Sequence, residues 1–400
     1  MIIRARFVVT MDGPPIENGA VAIMGDRIVD VGTAGEVMAR NSGTMLDLGE
    51  RALLPGLINA HCHLDYTCLR GKLPPPKSFT DWIRAINAEK AKLSLEDYVS
   101  SIEQGFAEAK RYGTTTVVNF AAFPELIARV RPPIRAWWCA ELMDVRSPAS
   151  AGDLLERVAE LLHPAEDRGL APHAPFTASA ELYRKCQKLA PTQFPLLTTH
   201  LAESREEFAM FQDAAGPLYE FMREIGRDMK DCGNMTPLSH FLGIVGPARP
   251  WLIAHLNELT ETDFELLETV RPPFAVVHCP RSHKYFGHSP FPFRRLRALG
   301  IEISLGTDSL ASNQDLDLFG EMRALRDRFP DVPAAEILEM VTLHPARILG
   351  RSDALGRIRR GHMADLIAVP FNESRKVLFD QIVASEGVPW HMVAGETAKA

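Results

Sequence analysis

Across the middle of the chain, eight short apolar strands alternate with longer amphipathic helical segments, and this alternation constrains the fold more than any other feature. The strand candidates are LLPGLINAHCH, TTTVVNF, IRAWWCAEL, GLAPHAP, FPLLTTHLA, WLIAHLN, FAVVHCP and IEISLGTDS. Eight buried strands joined by helices are the pattern of an α/β protein with a (β/α)₈ TIM-like barrel. A doubly wound open sheet is the alternative, but no Gly-x-Gly-x-x-Gly motif follows the first strand.

The two ends of the chain have a different pattern of short strands closed by glycine and aspartate. Examples are IIRARFVVTMDG and GAVAIMGDRIVDVG near the start and GRIRRGHMADLIAVP near the end. Such runs predict turns between strands. We therefore expect residues 1–54 and 351–400 to form the two parts of one small β-sandwich domain, and residues 55–350 to form the barrel.

Composition restricts the partners and the compartment. Lysine and arginine number 44 against 51 acidic residues, which gives a net charge of −7 without a basic run. This balance disfavours binding to nucleic acid or to an anionic membrane. No apolar run approaches 18 residues, and the first residues lack the features of a signal peptide. The six cysteines form no Cys-x-x-Cys pair, so we expect a cytoplasmic protein with a small-molecule partner, with a homo-oligomer left open.

Two long connections interrupt the regular alternation. One lies between residues 63 and 114 and contains the proline-rich segment GKLPPPKSF, and the other lies between residues 203 and 251. In a barrel, both would leave the carboxyl-terminal rim, where active sites are found. They are candidate lids, and the alternative is that they are structural insertions or an oligomer surface.

A His-x-His sequence ends the first barrel strand. Alternate residues of a strand point to the same side, so His61 and His63 converge while Cys62 faces away. Two neutral imidazoles with open positions suit zinc or iron. This pair alone is weak evidence, because a structural role for the two histidines is the commoner case.

Three more ligand-type residues end later strands. His200 follows the fifth strand, His255 the sixth and Asp308 the eighth. Burying such groups without partners costs on the order of several kcal/mol, and a metal at the mouth of the barrel would satisfy them together. We therefore predict one divalent metal per chain, with zinc as the default and iron as the alternative.

The motifs PGLINAHCHLD, LAPHAPFTAS, THLAES and LGTDSLASN together resemble the amidohydrolase superfamily. More narrowly, they resemble its mononuclear aminohydrolases, the S-adenosylhomocysteine, methylthioadenosine and aminodeoxyfutalosine deaminases. The resemblance covers nearly the whole chain, including the divided β domain. Several residues match the metal ligands of that family. They are His61, His63, His200 and Asp308.

The resemblance also implies roles around the metal and the substrate. Glu203 matches the proton shuttle, and His255 matches the histidine that contacts the metal-bound water. His173 matches a substrate-contacting histidine, and Glu89 is the candidate for a ribose-diol contact. Ser309, beside Asp308 in the strand-eight motif, is a further candidate for a substrate contact.

The chemistry expected from these residues is metal-assisted hydrolysis. A divalent metal lowers the pKa of a bound water from about 15.7 towards about 7, and the resulting hydroxide would attack a ring carbon. Glu203 precedes Ser204 and Glu207, a capping-box pattern that places it on the strand-to-helix turn facing the site. There it can protonate the adjacent ring nitrogen. The alternative is a solvated acid of the first helical turn.

The sequence departs from the family pattern in two places. Strand four ends in GLAPHAP without the lysine that binuclear relatives carry, which favours a single metal. After strand seven, CPRSHKYFGH places His283 where related deaminases have an asparagine. We therefore expect the ribose side of the pocket to be reshaped by His283, His288, Arg281 and Tyr285, and the alternative is that these are rim residues without a ligand contact. Arg70 and Trp82, in and after the first long loop, are further candidate substrate contacts.

Three functions remain open at this point. The leading one is a deaminase that converts the 6-amino group of an aminopurine nucleoside or derivative into a 6-oxo group with release of ammonia, with 6-aminodeoxyfutalosine among the candidate substrates. The second is a chlorohydrolase or another aromatic-ring hydrolase of the triazine type, which would use the same ligands. The third is a non-catalytic assembly protein, which the full ligand set disfavours.

Overall fold

The computed structural model describes residues 1–190, 193–246, 250–271 and 273–397. The strands are β1 (Ile2–Val8), β2 (Ile16–Met24), β3 (Arg27–Thr33), β4 (Met45–Asp47), β5 (Arg51–Pro55), β6 (Leu57–His63), β7 (Thr114–Ala121), β8 (Arg135–Leu142), β9 (Arg168–Pro172), β10 (Leu196–Leu201), β11 (Trp251–His255), β12 (Phe274–His278), β13 (Ile303–Leu305), β14 (Asp308–Ser309), β15 (Leu366–Pro370), β16 (Trp390–Val393) and β17 (Glu396–Thr397).

Helices connect most of these strands. They are α1 (Ala34–Arg40), α2 (Phe79–Lys90), α3 (Leu95–Arg111), α4 (Ala151–Leu162), α5 (Ala180–Leu189), α6 (Arg205–Asp213), α7 (Pro217–Glu224), α8 (Pro237–Val245), α9 (Glu261–Val270), α10 (Pro280–Phe286), α11 (Phe293–Ala298), α12 (Leu318–Arg328), α13 (Ala334–Glu339), α14 (Leu343–Ile348) and α15 (Leu378–Ala384). Short 3₁₀ helices span Leu64–Leu69, Pro124–Arg129, Pro148–Ser150 and Arg375–Val377. Within the described ranges, no helix combines the length and the apolar character needed to cross a membrane.

A nine-stranded parallel sheet forms the centre of the molecule. Its order is β13-β12-β11-β10-β9-β8-β7-β6-β14. The sheet curls back on itself, because β14 follows β13 after only two residues and pairs with β6 at the other end, Asp308 opposite Cys62. The expected α/β fold with a TIM-like parallel barrel sheet is therefore confirmed, with the eighth predicted strand divided into β13 and β14.

Gly306, between β13 and β14, allows this closure. A Cβ atom at this position would lie 2.7 Å from the carbonyl oxygen of His61 and 2.9 Å from its Cβ. Any side chain would push β14 away from β6. The glycine thus brings the ends of the first and last barrel strands together, which places Asp308 beside His61.

The ends of the chain form a second sheet with the order β17-β16-β15-β5-β1-β2-β3, and β4 also pairs with β1. The predicted union of the two termini is present, since β5 pairs with β15 in antiparallel register, Leu54 opposite Ile367. The predicted β-sandwich is not confirmed. The described strands of both ends join one continuous sheet, because β1 pairs with β2 along one edge and with β4 and β5 along the other.

Two details of the sequence prediction need correction. The run LLPGLINAHCH is not one strand, because Pro55 ends β5 in the terminal sheet and Leu57 begins β6 in the barrel sheet. The ends are also not purely β, since α1 lies in the first part and α15 in the last, where it packs against α12 and α13. The division into 1–54, 55–350 and 351–400 stays a prediction.

The two long connections place helices over the carboxyl ends of the barrel strands. The β6–β7 connection contains α2 and α3, and the β10–β11 connection contains α6, α7 and α8. Glu206 of α6 fixes the start of α2, because its carboxylate accepts hydrogen bonds from the backbone N–H groups of Phe79 (2.8 Å) and Thr80 (3.0 Å). The β6–β7 and β10–β11 connections are therefore hydrogen-bonded to each other at the carboxyl-terminal side of the barrel sheet.

Candidate active site

Four of the predicted ligand residues meet at the carboxyl ends of the strands. Nε2 of His63 lies 3.2 Å from Nε2 of His200. Oδ1 of Asp308 lies 3.6 Å from Nε2 of His61 and 3.7 Å from Nε2 of His63. All four side chains are buried. Side chains separated by almost 250 positions in sequence thus direct four donor atoms towards one point.

The donor set fits a divalent cation. Both ring nitrogens of His61 and Nδ1 of His63 are buried without a hydrogen-bond partner in the described part of the chain, a costly state if nothing is bound. Burial lowers the pKa of His63 well below its ordinary value and that of His200 to about 3. The imidazoles of His63 and His200 are therefore neutral, as ligation requires, and the nitrogen and carboxylate donors of the cluster suit zinc or iron.

Surrounding groups orient two of these ligands. Nδ1 of His200 donates to the backbone carbonyl of His173 at 2.8 Å, which leaves Nε2 with its lone pair free. Oδ2 of Asp308 accepts hydrogen bonds from the hydroxyls of Ser282 (2.6 Å) and Ser312 (3.2 Å). Such partners fix the tautomer and the rotamer of metal ligands.

The backbone at the strand ends is strained where the site is built. His255 has φ 75° and Asp308 has φ 57°, in a region that residues other than glycine enter at an energetic cost. Cys62 faces away from the site, with its thiol 3.6 Å from the carbonyl oxygen of Val118, as strand alternation predicted. The strain occurs at the ends of β11 and at β14, which carry groups facing the cluster.

Glu203 and His255 stand beside the cluster. Oε1 of Glu203 lies 3.7 Å from Nε2 of His255, and both side chains are buried. Ligand-type atoms of Glu203, His255 and Asp308 lie within 4.8 Å of one another. Burial, followed by the charges of Asp308 and Glu207, raises the pKa of Glu203 well above its ordinary value. The surroundings therefore favour the protonated form of this carboxyl group more than water does.

The turn that carries Glu203 is held by backbone contacts. Ser204 caps α6 by accepting from the N–H of Glu207. The Glu207 carboxylate accepts from the backbone N–H groups of Ala202 (3.1 Å) and Glu203 (2.7 Å), so only half of the expected capping box is present. The side-chain amide of Asn257 donates to the carbonyl of Glu203 at 2.9 Å. The turn is thus fixed, with Glu203 directed into the pocket.

A cavity of about 290 Å³ opens above this cluster. Its lining includes three of the predicted substrate contacts, which are His173, Trp82 and Ser309. Nδ1 of His173 lies 2.6 Å from the hydroxyl of Thr177, and burial followed by the charge of Lys90 lowers the pKa of His173 to about 3. A neutral His173 therefore presents Nε2 to the pocket.

The structure does not place three other predicted contacts in this lining. Arg70 pairs with Glu108 instead. Glu89 turns away and pairs with Lys92 at 2.6 Å. Nε2 of His283 donates to the backbone carbonyl of Ser289 at 2.8 Å, so this histidine braces its own loop.

The sequence did not lead us to expect Lys90 in the cavity lining, nor most of the apolar residues that line it. Residues 82, 86 and 90 of α2 all face the pocket, because they are four positions apart on one helical face. This spacing could have shown that Lys90, rather than Glu89, faces inward. A second wall comes from α7 and the residue that follows it. It consists of Phe221, Met222 and Ile225.

A curled parallel sheet that gathers imidazoles and carboxylates at the carboxyl ends of its strands is the arrangement of a metal-dependent barrel hydrolase. A model described as the amidohydrolase family matches residues 52–384. A 5-methylthioadenosine/S-adenosylhomocysteine deaminase from Syntrophobacter fumaroxidans is 33% identical over 390 residues, which cover 92% of this chain and 83% of that protein. The chain therefore belongs to the amidohydrolase family, and the predicted resemblance and hydrolase class are confirmed.

Solved structures agree with this fold. The aminofutalosine deaminase from Helicobacter pylori, in complex with methylthio-coformycin, has a TM-score of 0.85 at 21% identity and covers the whole of both chains. An adenosine deaminase from Xanthomonas campestris with bound zinc has a TM-score of 0.80 at 25% identity, covering 99% of this chain and 92% of that one. Both likenesses extend over the barrel and the terminal sheet.

Proposed function

We propose that this protein is a hydrolytic deaminase that converts the 6-amino group of an aminopurine nucleoside or derivative into a 6-oxo group and releases ammonia. The observation that carries the proposal is the position of Glu203. A buried carboxyl group that can hold a proton lies beside the cluster of candidate ligands at the floor of the cavity. The curated deaminase relatives support the same reaction.

Four residues would hold one divalent metal per chain. They are His61, His63, His200 and Asp308. Metal dependence is typical of the family, and we propose zinc, with iron as the alternative, because imidazole and carboxylate suit both. When bound, the metal would supply Lewis acidity, which makes a water molecule a nucleophile near neutral pH.

The remaining chemistry is proton movement by this chain's own groups. Glu203 would donate a proton to the ring nitrogen next to the amino-bearing carbon, which makes that carbon more electrophilic. Oδ1 of Asp308 faces His61 and His63 and accepts one hydrogen bond from the N–H of Ser309 at 2.8 Å, while Oδ2 accepts from Ser282 and Ser312. Oδ1, the oxygen that faces the cluster, would accept a proton from the attacking water. A new C–O bond forms, the proton taken up by Asp308 passes to the amino group, and the C–N bond breaks with release of ammonia. The hydroxyl proton of the new C–O group returns to Glu203 as the 6-oxo group forms.

The walls of the cavity suit a flat, partly apolar substrate. Phe79, Trp82 and Ile83 of α2 face the cavity. Further apolar surface comes from the residues in and after α7, which are Phe221, Met222 and Ile225. The polar side includes Nε2 of His173 and the carboxylate of Glu141, which lie 3.8 Å apart. Such a combination of apolar walls and a few polar groups is typical of small-molecule sites, and it fits an aminopurine with a substituent beyond plain adenosine.

An ammonia-release assay with a panel of substrates tests this proposal. The panel contains adenosine, 5′-methylthioadenosine, S-adenosylhomocysteine, 6-aminodeoxyfutalosine, guanine, a pterin and a chlorotriazine. We expect ammonia from 6-aminopurine nucleosides and no chloride from the triazine. Chloride release without ammonia would favour the triazine-type hydrolase, and no turnover of any compound by metal-loaded protein would favour the non-catalytic alternative.

The position of Lys90 predicts that, within that panel, the protein prefers substrates that carry a carboxylate. Its Nζ donates to the hydroxyl of Tyr66 at 2.7 Å and faces the cavity, and within the described ranges it forms no ion pair with a carboxylate. Lys90→Met should raise KM by about 10-fold for substrates with a carboxylate, as expected for loss of one charged hydrogen bond, and leave KM for 5′-methylthioadenosine within about 2-fold. Equal changes for both substrate types would contradict this assignment.

Compartment and assembly also remain proposals. The six cysteines are free thiols, which supports the proposed reducing cytoplasm. The proposed partner is a small-molecule substrate. Assembly into a homo-oligomer is compatible with this proposal.

A further inference from the structure

His288 is buried beside Glu203, outside the group of candidate metal ligands. Only 6% of its side chain is exposed, and its Nε2 lies 4.0 Å from Oε1 of Glu203. Within the described chain this Nε2 has no hydrogen-bond partner. Leaving a buried polar atom unpaired costs about 1–3 kcal/mol. We therefore expect Nε2 of His288 to gain a hydrogen-bond partner during the reaction.

The loop that carries His288 is built to hold it in place. Helix α10 ends at Phe286, and its C-cap Gly287 adopts φ 65°, which turns the chain out of the helix. Ser289, which follows His288, is held at three points. Its carbonyl accepts from Nε2 of His283, its hydroxyl accepts from Arg205 at 2.9 Å, and its N–H donates to Glu258 at 3.3 Å.

Aromatic packing fixes the orientation of the ring. The imidazole of His288 stacks on Phe286, with centroids 5.1 Å apart and an interplanar angle of 25°. The ring of His283 meets it at 5.6 Å. Burial lowers the pKa of His288 to about 3, so the ring is neutral, with one N–H and one lone pair. It can therefore donate to an ionised carboxylate or accept from a protonated one.

We propose that His288 is a positioning residue, which holds the carboxyl group of Glu203 at the oxygen that His255 also approaches, while Glu203 exchanges its proton with the substrate. This inference rests on the proposed function. The 4.0 Å separation becomes a hydrogen bond after a movement of about 1 Å. Because Nε2 of His255 lies 3.7 Å from the same oxygen, hydrogen bonds from the two imidazoles to Oε1 would limit rotation of the carboxyl group.

Two variants of His288 separate this role from simple packing. His288→Phe keeps an aromatic ring against Phe286 but removes both nitrogens, and His288→Gln keeps a hydrogen-bonding group near the position of Nε2. We expect His288→Phe to lower kcat for ammonia release by about 10–100-fold, the loss typical of a hydrogen bond to a charged group, with KM within about 3-fold. His288→Gln should recover at least about one third of the wild-type kcat.

A double-mutant cycle with Glu203→Gln supplies the decisive readout. If His288 acts through Glu203, adding His288→Phe to Glu203→Gln should lower kcat by less than about 2-fold, since coupled residues are not additive. His163→Phe, at an exposed position directly after α4, is the matched control and should leave kcat unchanged. Metal content and Tm are measured for every variant.

Several results would overturn the proposal. An unchanged kcat in His288→Phe, an equal loss in the Phe and Gln variants, or full additivity in the cycle would each show that His288 does not act through Glu203. These outcomes require active wild-type protein. If wild-type protein releases no ammonia from any aminopurine, it is the proposed function that fails, and the two failures are therefore distinguishable.

Discussion

Replacing Glu203 with glutamine is expected to lower kcat for ammonia release by about 10²–10⁴-fold, the range for loss of a general acid–base group. Glutamine has nearly the same shape, but it cannot carry a proton to the ring nitrogen. The backbone of the turn should stay in place, because Glu207 and Asn257 hold it through main-chain atoms. KM and metal content should therefore change little.

The matched control is Glu265→Gln, the same substitution at an exposed position of α9. It should leave kcat within about 2-fold of the wild-type value, as exposed substitutions usually do. Steady-state kinetics together with metal analysis check the comparison. A Glu203→Gln variant that keeps more than one third of the wild-type kcat would show that another group carries the proton.

The barrel and the candidate ligands could be predicted because both depend on local patterns. An apolar run that stops at a histidine or an aspartate identifies the end of a buried strand, and parallel strands bring their carboxyl ends to one rim. His200 and His255 follow this rule directly, since each lies at or one residue before the end of its strand. The convergence of side chains from distant strands then follows from the topology.

The division between the two sheets could not be read in the same way. The run LLPGLINAHCH is apolar on both sides of Gly56, so its pattern gives no sign of a change of sheet. The change depends on distant residues. The N–H of Gly56 donates to the carbonyl of Asp365 at 2.8 Å, and a Cβ at Gly56 would collide with the side chain of Thr115.

The substrate side of the site was harder to predict because it lies on helices and loops. The choice between Glu89 and Lys90 depends on the exact register of α2, which the cap at Ser78 and the contacts from Glu206 set. Whether His283 faces the cavity depends on the exact placement of α10, in which Nε2 of His283 bonds the carbonyl of Ser289 instead. In both cases the side chain that faces the pocket depends on the exact register of a helix, and apolar periodicity does not define helix boundaries that closely.

Removing the metal should abolish the reaction, and restoring one equivalent per chain should recover it. Dialysis against a chelator is expected to reduce ammonia release to below about 1% of the starting rate, because water is a poor nucleophile without a Lewis acid. Zinc or iron added back should restore activity with a break at one equivalent. Bound metal should also raise Tm, since a ligand that binds only the folded state at about 100 times its Kd adds about 2.7 kcal/mol to the free energy of unfolding.

Asp308→Asn tests whether the carboxylate is part of this metal site. Asparagine keeps the shape and can still bond Ser282 and Ser312, but it removes the negative charge that faces His61 and His63. We expect less than one metal per chain, no rise of Tm on adding zinc, and loss of ammonia release, whereas the exposed control Asp353→Asn should behave as wild type. Full metal content with full activity in Asp308→Asn would exclude Asp308 as a ligand. A titration that breaks at two equivalents would instead require a second ion, for which Glu141, in the lining of the same cavity, is a candidate carboxylate.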